Sequence, residues 1–203
     1  MRTRRLFMIV SLSIVLALTA LSMRAMLAAG EKIRWDFINN MVEDGKPTTS
    51  EGGFDFATAI DGSYILLKGT GTFGPASTDP VTGGGDWMTF DVANAKTAGG
   101  KYTVKALVSW AEGSGKEPDA LVDKIGEKTS FRAGVAVLSV TYTNDDGSAA
   151  GDGVLIISCH GPVDGTDTTF EGVVATMGAA TFYDASPARP GVNANRTQFH
   201  VVS

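Results

Sequence analysis

Apolar and polar side chains alternate along several short stretches of this chain. Early in the chain, Ile33, Trp35 and Phe37 alternate with Arg34 and Asp36. This two-residue period is typical of a half-buried β-strand. Similar patterns predict strands near 54–60, 64–67, 88–92, 101–110, 136–142, 154–160, 170–183 and 197–202.

The stretch 101–110 has the most regular alternation. Tyr102, Val104, Ala106, Val108 and Trp110 fall on one face, and lysine, threonine and serine side chains fall largely on the other. One wet face and one buried face are typical of strands in antiparallel sheets. The pair Asp61-Gly62 lies between two apolar runs, which predicts a β-hairpin.

Two segments do not follow the strand pattern. The stretch 69–85 carries six glycines and two prolines but lacks the lysine and Ser/Thr ending of a P-loop, so it is interpreted as a loop. The stretch 112–130 holds the one plausible short helix, in which Asp119 caps a turn that carries Leu121, Val122 and Ile125.

Eight or nine short strands with at most one short helix predict an all-β fold. An antiparallel barrel is favoured over a β-sandwich, because closure removes exposed strand edges. The absence of a linker-like segment predicts a single domain over residues 30–203.

Residues 1–29 have the three parts of a secretory signal peptide. Arg2, Arg4 and Arg5 precede an apolar run from Leu6 to Met23, and small alanines follow. We expect a secreted, periplasmic or cell-surface protein without a stable membrane span after cleavage. An uncleaved signal anchor is the alternative.

Removal of this segment changes the charge balance. Of the 17 lysines and arginines, 13 remain against 22 acidic side chains, a formal net charge of about −9. An acidic surface repels phosphate backbones, which argues against a nucleic-acid partner.

The segment 151–184 contains the only cysteine, Cys159, and one of the two histidines, His160. A lone cysteine forms no intramolecular disulfide and is interpreted as a buried, inert thiol. A Cys159-His160 nucleophile is disfavoured, because adjacent strand residues point to opposite faces. For His160, a surface position at the strand end and a position in the lumen of a barrel both stay open.

The sequence does not predict a transition-metal site or any other cofactor. Two histidines without a His-x-His spacing do not match zinc or copper sites. Acidic loops around Asp145, Asp146 and Asp152, and around Asp164, Asp167 and Glu171, leave calcium as a minor alternative.

Three tryptophans are candidates for contact with a ligand, since secreted barrels bind small molecules through aromatic faces. Trp35 and Trp110 are in phase with apolar neighbours and are expected in the core. Trp87 is out of phase with Met88 and Phe90 and is expected to be exposed.

Four segments, GTGTFGP, LVSWAEG, GVLIISCHGP and FEGVVATMGA, resemble small exported bacterial proteins without assigned activity. The rhythm of strands and glycines is also similar to the dirigent and allene-oxide-cyclase type of eight-stranded barrel. That resemblance implies a fold which binds small hydrophobic molecules, and it assigns no catalytic residue.

The favoured function is a non-catalytic exported domain that binds a small apolar ligand or a cell-surface component. The alternatives are a cofactor-independent barrel enzyme of cyclase or isomerase type, and a structural envelope protein. The candidate ligand-binding residues are His160, Glu171, Tyr183 and Trp87.

Overall fold

The computed structural model describes residues 31–161, 163, 170–184 and 196–203. Its strands are β1 (Lys32–Phe37), β2 (Asn39–Glu43), β3 (Lys46–Ser50), β4 (Asp55–Thr58), β5 (Tyr64–Phe73), β6 (Val81–Phe90), β7 (Lys96–Glu112), β8 (Val122–Asp123), β9 (Phe131–Arg132), β10 (Gly134–Asn144), β11 (Ala149–Cys159), β12 (Gly172–Met177), β13 (Ala180–Phe182) and β14 (Thr197–Val202). These residues contain no α-helix, so the all-β prediction is confirmed. None of the described segments forms a helix suited to crossing a membrane. The predicted signal peptide and the calcium candidates Asp164 and Asp167 lie outside the described residues.

Eleven strands form one antiparallel sheet. Its order is β13, β12, β11, β10, β7, β6, β5, β1, β14, β9, and β4 pairs with β5. The remaining strands form a small sheet in the order β2, β3, β8, in which β3 and β8 are parallel. The predicted hairpin at Asp61-Gly62 is confirmed, because it joins β4 to β5.

The large sheet curls so that distant strands meet. The backbone N–H of Thr58 in β4 donates to the carbonyl of Asp184, just after β13, at 2.9 Å. The Thr197 hydroxyl in β14 donates to the carbonyl of Ser158 in β11. The ladders between the described strands do not close the sheet, whose path ends at β13 and β9. The antiparallel sheet is therefore observed, and the barrel stays a prediction.

The core confirms some of the predicted strand faces. In β10, Ala136, Leu138, Val140 and Tyr142 are all buried, as their alternation indicates. In β7 the prediction is right for Tyr102, Val104 and Trp110, which packs against the core, and wrong for Ala106 and Val108. Register shifts against β10 bury Leu107 and leave Val108 55% exposed. Such β-bulges change the direction of the following side chains, and alternation alone does not show them.

The prediction that Trp87 is exposed is wrong. Its side chain is 1% exposed, and its indole Nε1 donates to the carbonyls of Lys101 at 3.1 Å and Thr143 at 3.0 Å. The out-of-phase neighbour Phe90 belongs to a separate cluster, where its ring stacks on Tyr64. Strand β6 therefore carries apolar side chains on both faces, so the sequence pattern does not show which face points into the core.

The glycine-rich stretch is not a loop. Most of it lies in β5 and β6, where Gly71 pairs with Gly83, and only the turn between the strands is irregular. A Cβ atom on Gly71 would lie 2.8 Å from Cζ2 of Trp35, and one on Gly83 would lie 2.9 Å from the same atom. Glycine is needed here because the buried Trp35 ring occupies the space of a side chain.

The predicted helix in 112–130 is also wrong. Val122 and Asp123 pair with β3, and Oδ1 of Asp123 accepts the N–H of Ile125 at 2.7 Å. This side-chain turn offers the backbone a hydrogen bond that competes with helix formation. A single 3₁₀ turn at Lys128–Ser130 is the only helical element in the described part of this stretch.

Candidate functional site

A partly open pocket of about 580 Å³ lies between the small sheet and the region where β9, β11 and β14 meet. Apolar side chains that line it include Ile38, Met41, Leu121 and Phe131. Polar side chains also line it, and they include Thr49, Glu117, His160, Glu171, Arg196 and Gln198. A pocket of this size and composition has the properties of a small-molecule site.

Glu171 holds two strand ends together at this pocket. Its Oε2 accepts the backbone N–H of His160 at 2.8 Å, and its Oε1 accepts the backbone N–H of Thr197 at 3.4 Å. Burial raises the pKa of Glu171, although these two hydrogen bonds lower it in part. The carboxyl group therefore has a structural role as well as a position on the pocket wall.

His160 and Cys159 also line the pocket. His160 is half-buried and Cys159 is 3% exposed. Burial raises the pKa of the Cys159 thiol well above its usual value, and the nearby Glu171 carboxylate adds to this effect. A thiol with a raised pKa is seldom a thiolate at neutral pH, so Cys159 lacks the activation of a catalytic nucleophile.

The four predicted ligand-binding residues are not brought together. His160 and Glu171 share the pocket, whereas Trp87 is buried in the core and does not line it. Tyr183 is 53% exposed and does not line it either. The ligand-binding roles of all four residues stay predictions.

A second group of polar residues, which the sequence analysis did not identify, adjoins the pocket through Glu117. Ligand-type atoms of Glu117, Asp123 and His200 all lie within 4.8 Å of one another. Nε2 of His200 is 2.8 Å from Oδ2 of Asp123. Gln198 donates its amide to the carboxylates of both Glu117 and Asp123. We call Glu117, Asp123 and His200 the carboxylate–histidine cluster.

The two carboxyl groups of this cluster titrate very differently. Burial and the adjacent Asp123 raise the pKa of Glu117 to about 8. Burial would also raise the pKa of Asp123, but hydrogen bonds with His200 and the Ile125 N–H outweigh it and hold that pKa well below its usual value. These shifts favour the ionised form of Asp123 and the protonated form of Glu117 at neutral pH.

The sequence offers little signal for this cluster. Glu117 and Asp123 fall in the stretch interpreted as a short helix, and His200 follows Asp123 by 77 residues. The side-chain turn at Asp123 and the pairing of β8 with β3 bring the carboxylates to β14. The sequence contains two turn-forming residues here, Asp123 and Gly126, but neither indicates which strand this segment pairs with.

The acidic turn 144–148, a calcium candidate, is explained without a metal. Oδ1 of Asp146 accepts the N–H of Ser148 at 2.9 Å, and Gly147 adopts a φ of 82°. These hydrogen bonds are those of an ordinary Asx turn. The calcium alternative gains no support from the described part of the acidic loops.

Comparisons with models of protein families, with curated proteins and with solved structures find no match for this chain. The resemblance to the dirigent type therefore stays a hypothesis, and the pocket and its chemistry carry the argument about function.

Proposed function

We propose that this chain is an exported, non-catalytic all-β domain that binds a small, largely apolar molecule in the pocket of about 580 Å³. The single observation that carries this proposal is the pocket itself. Its volume falls within the ~300–1,000 Å³ of typical ligand sites, and its wall combines apolar side chains with a few polar groups.

Two of those polar groups indicate the chemistry of the ligand. Oγ1 of Thr49 and Oε1 of Gln198 are buried and have no hydrogen-bond partner among the described residues. A buried polar atom without a partner costs ~1–3 kcal/mol. A ligand with an apolar body and a hydroxyl or amine hydrogen would recover part of that cost by donating to these atoms.

The curled sheet supports a barrel-like arrangement behind the pocket. Glu171 and Thr197 join β11 to β14, which are far apart in the order of the sheet. We propose that the sheet rolls into a barrel at this end.

The export proposal rests on residues 1–29, and sequencing of the amino terminus of the protein recovered outside the cytoplasm tests it.

The binding proposal is tested with the neutral fluorophore Nile red. We expect its emission to rise and shift to the blue on binding to the pocket. Met41 lines the pocket, whereas its neighbour Val42 is 74% exposed on the other face of β2. Met41→Trp should fill the pocket and weaken binding at least tenfold, while the matched control Val42→Trp should leave it unchanged.

Equal binding by both variants, or no binding by the wild-type protein, would contradict the proposal. A library of small apolar alcohols and amines, screened by thermal shift, extends the same test to hydrogen-bond donors. Absence of any stabilisation would favour the structural envelope role instead.

A cyclase or isomerase is a second candidate, and the position of one buried carboxyl group favours it. Glu117 lines the pocket, and its pKa of about 8 lies in the range in which carboxyl groups act as acids or bases near neutral pH. Mass spectrometry of a bound molecule before and after incubation separates the two functions. A molecule recovered unchanged supports binding, and a converted molecule supports catalysis.

A further inference from the structure

The carboxylate–histidine cluster combines three metal-binding side chains from two distant parts of the chain. Nε2 of His200 and Oδ2 of Asp123 are 2.8 Å apart, and an oxygen of Glu117 lies within 4.8 Å of both. Two ligands at ~2.1 Å from one ion and at right angles to each other are about 3 Å apart. His200 and Asp123 therefore have the spacing of adjacent ligands in one coordination sphere, and Glu117 lies next to them.

The charges of the cluster favour a cation. Glu117 is 9% exposed, and its Oε2 is buried without a hydrogen-bond partner in the described part of the chain. No lysine or arginine of the described residues forms an ion pair with Glu117 or Asp123. Lys128 is the nearby cation, but its ammonium group donates to the carbonyls of Pro118 and Asp119. Two buried carboxyl groups in contact need a shared positive charge, either a proton or a metal ion.

The surrounding residues hold the three side chains in place. Oδ1 of Asp123 accepts backbone N–H groups, while its Oδ2 contacts both Nε2 of His200 and the Gln198 amide. The imidazole of His200 contacts the Phe131 ring edge-on at 6.2 Å between centroids. A Cβ atom on Gly126 would lie 2.4 Å from Cδ2 of His200, so the ring packs directly against that glycine. Such supporting contacts preorganise metal ligands.

Two of the three side chains reach a pocket wall. Glu117 lines the large pocket, and Asp123 lines a second pocket of about 360 Å³ next to it. We propose that Glu117, Asp123 and His200 bind one first-row divalent transition-metal ion, Zn²⁺ or Mn²⁺, with its open positions toward the large pocket. One imidazole nitrogen with two carboxylates suits these ions better than Ca²⁺, which prefers ligand sets made of oxygen alone.

Metal binding is measured on full-length protein that has been freed of metal with a chelator. We expect isothermal titration with Zn²⁺ or Mn²⁺ to give one equivalent, and metal analysis after dialysis to agree. Glu117→Gln should weaken affinity at least tenfold, because it removes a charged ligand with little change in shape. The exposed carboxylate variant Glu127→Gln is the matched control and should bind as the wild type does.

Mn²⁺ locates the site directly, because it broadens the NMR signals of nearby protons. We expect the His200 imidazole signals to broaden at lower Mn²⁺ concentrations than the His160 signals. His200→Gln should abolish binding, and circular dichroism checks its fold because His200 is fully buried. If that variant does not fold, Glu117→Gln decides the matter.

Three outcomes would overturn the proposal: no bound equivalent in the wild-type protein, unchanged affinity in Glu117→Gln, or broadening at His160 instead of His200. The test uses no organic ligand, so it fails or succeeds independently of the proposed ligand-binding function.

Discussion

The carboxylate of Glu171 accepts a hydrogen bond from the backbone N–H of His160 at 2.8 Å. Through its other oxygen it also accepts the N–H of Thr197, so one side chain connects the end of β11 to the start of β14. These strands are not neighbours in the sheet. The connection helps to hold the curled sheet together beside the pocket.

Replacement of Glu171 should therefore destabilise the fold. An amide in Glu171→Gln has one acceptor oxygen instead of two, so one backbone N–H loses its partner. We expect a loss of ~1–3 kcal/mol in the free energy of unfolding, measured with denaturant. The exposed variant Glu127→Gln should stay within ~0.5 kcal/mol of the wild type.

The effect of Glu171→Gln should also depend on pH. Burial raises the pKa of Glu171 above its usual value, so folding favours the protonated form. The stability that this group contributes is then present at low pH and declines as pH rises from ~4.3 through the folded-state pKa. Glutamine does not titrate, so the destabilisation of Glu171→Gln relative to the wild type should be smaller at pH 8 than at pH 4. A cost that grows with pH would contradict this prediction.

Trp87 and Trp35 form a matched pair for measuring a buried hydrogen bond. Both are fully buried, but Nε1 of Trp87 donates to two carbonyls, while Nε1 of Trp35 has no partner among the described residues. Changing either residue to phenylalanine removes the same atoms. We expect Trp87→Phe to cost ~1–3 kcal/mol more than Trp35→Phe in denaturant unfolding. Equal costs would show that the two hydrogen bonds add nothing to stability.

Substitution of Gly71 and Gly147 measures separately the cost of close packing and the cost of an unfavourable backbone conformation. A Cβ atom on Gly71 would lie 2.3 Å from the carbonyl oxygen of Thr82 and 2.8 Å from Trp35, whereas one on Gly147 meets nothing within 4 Å but sits at a φ of +82°. We expect Gly147→Ala to cost ~1 kcal/mol through its strained φ. Gly71→Ala should cost at least ~3 kcal/mol, because strand backbones must move apart. Thermal unfolding of both variants checks the order, and a smaller cost at position 71 would contradict it.

Strand β10 shows how far alternation predicts this fold. Its buried face, from Ala136 to Tyr142, follows the sequence pattern because no bulge interrupts it. In β7 the same reasoning fails at Ala106 and Val108, where tertiary pairing with β10 shifts the register. Glycines in β5 and β6 look like a loop because the sequence does not show the Trp35 ring that replaces their side chains.

The candidate site also contains residues that the sequence suggested and residues that it did not. His160 and Glu171 lie eleven residues apart, next to β11 and β12, and both line the pocket. The position of His160 in a barrel lumen stays a prediction. The carboxylate–histidine cluster was not predictable from spacing, because His200 comes from the last strand. A search for two histidines close together fails when a single histidine is joined by carboxylates from a distant turn.

Cys159 gives a direct test of the inert-thiol interpretation. The side chain is 3% exposed, and burial raises its thiol pKa well above the usual value, so few molecules carry a thiolate at pH 7. We expect an aromatic disulfide reagent to react with the native protein on the order of a hundredfold more slowly than with the denatured chain, whose thiol has a pKa near ~8.5. Absorbance of the released thiol measures both rates, and Cys159→Ala supplies the blank. A native rate equal to the denatured one would mean that the thiol is exposed and ionised, which would restore the nucleophile hypothesis for this pocket.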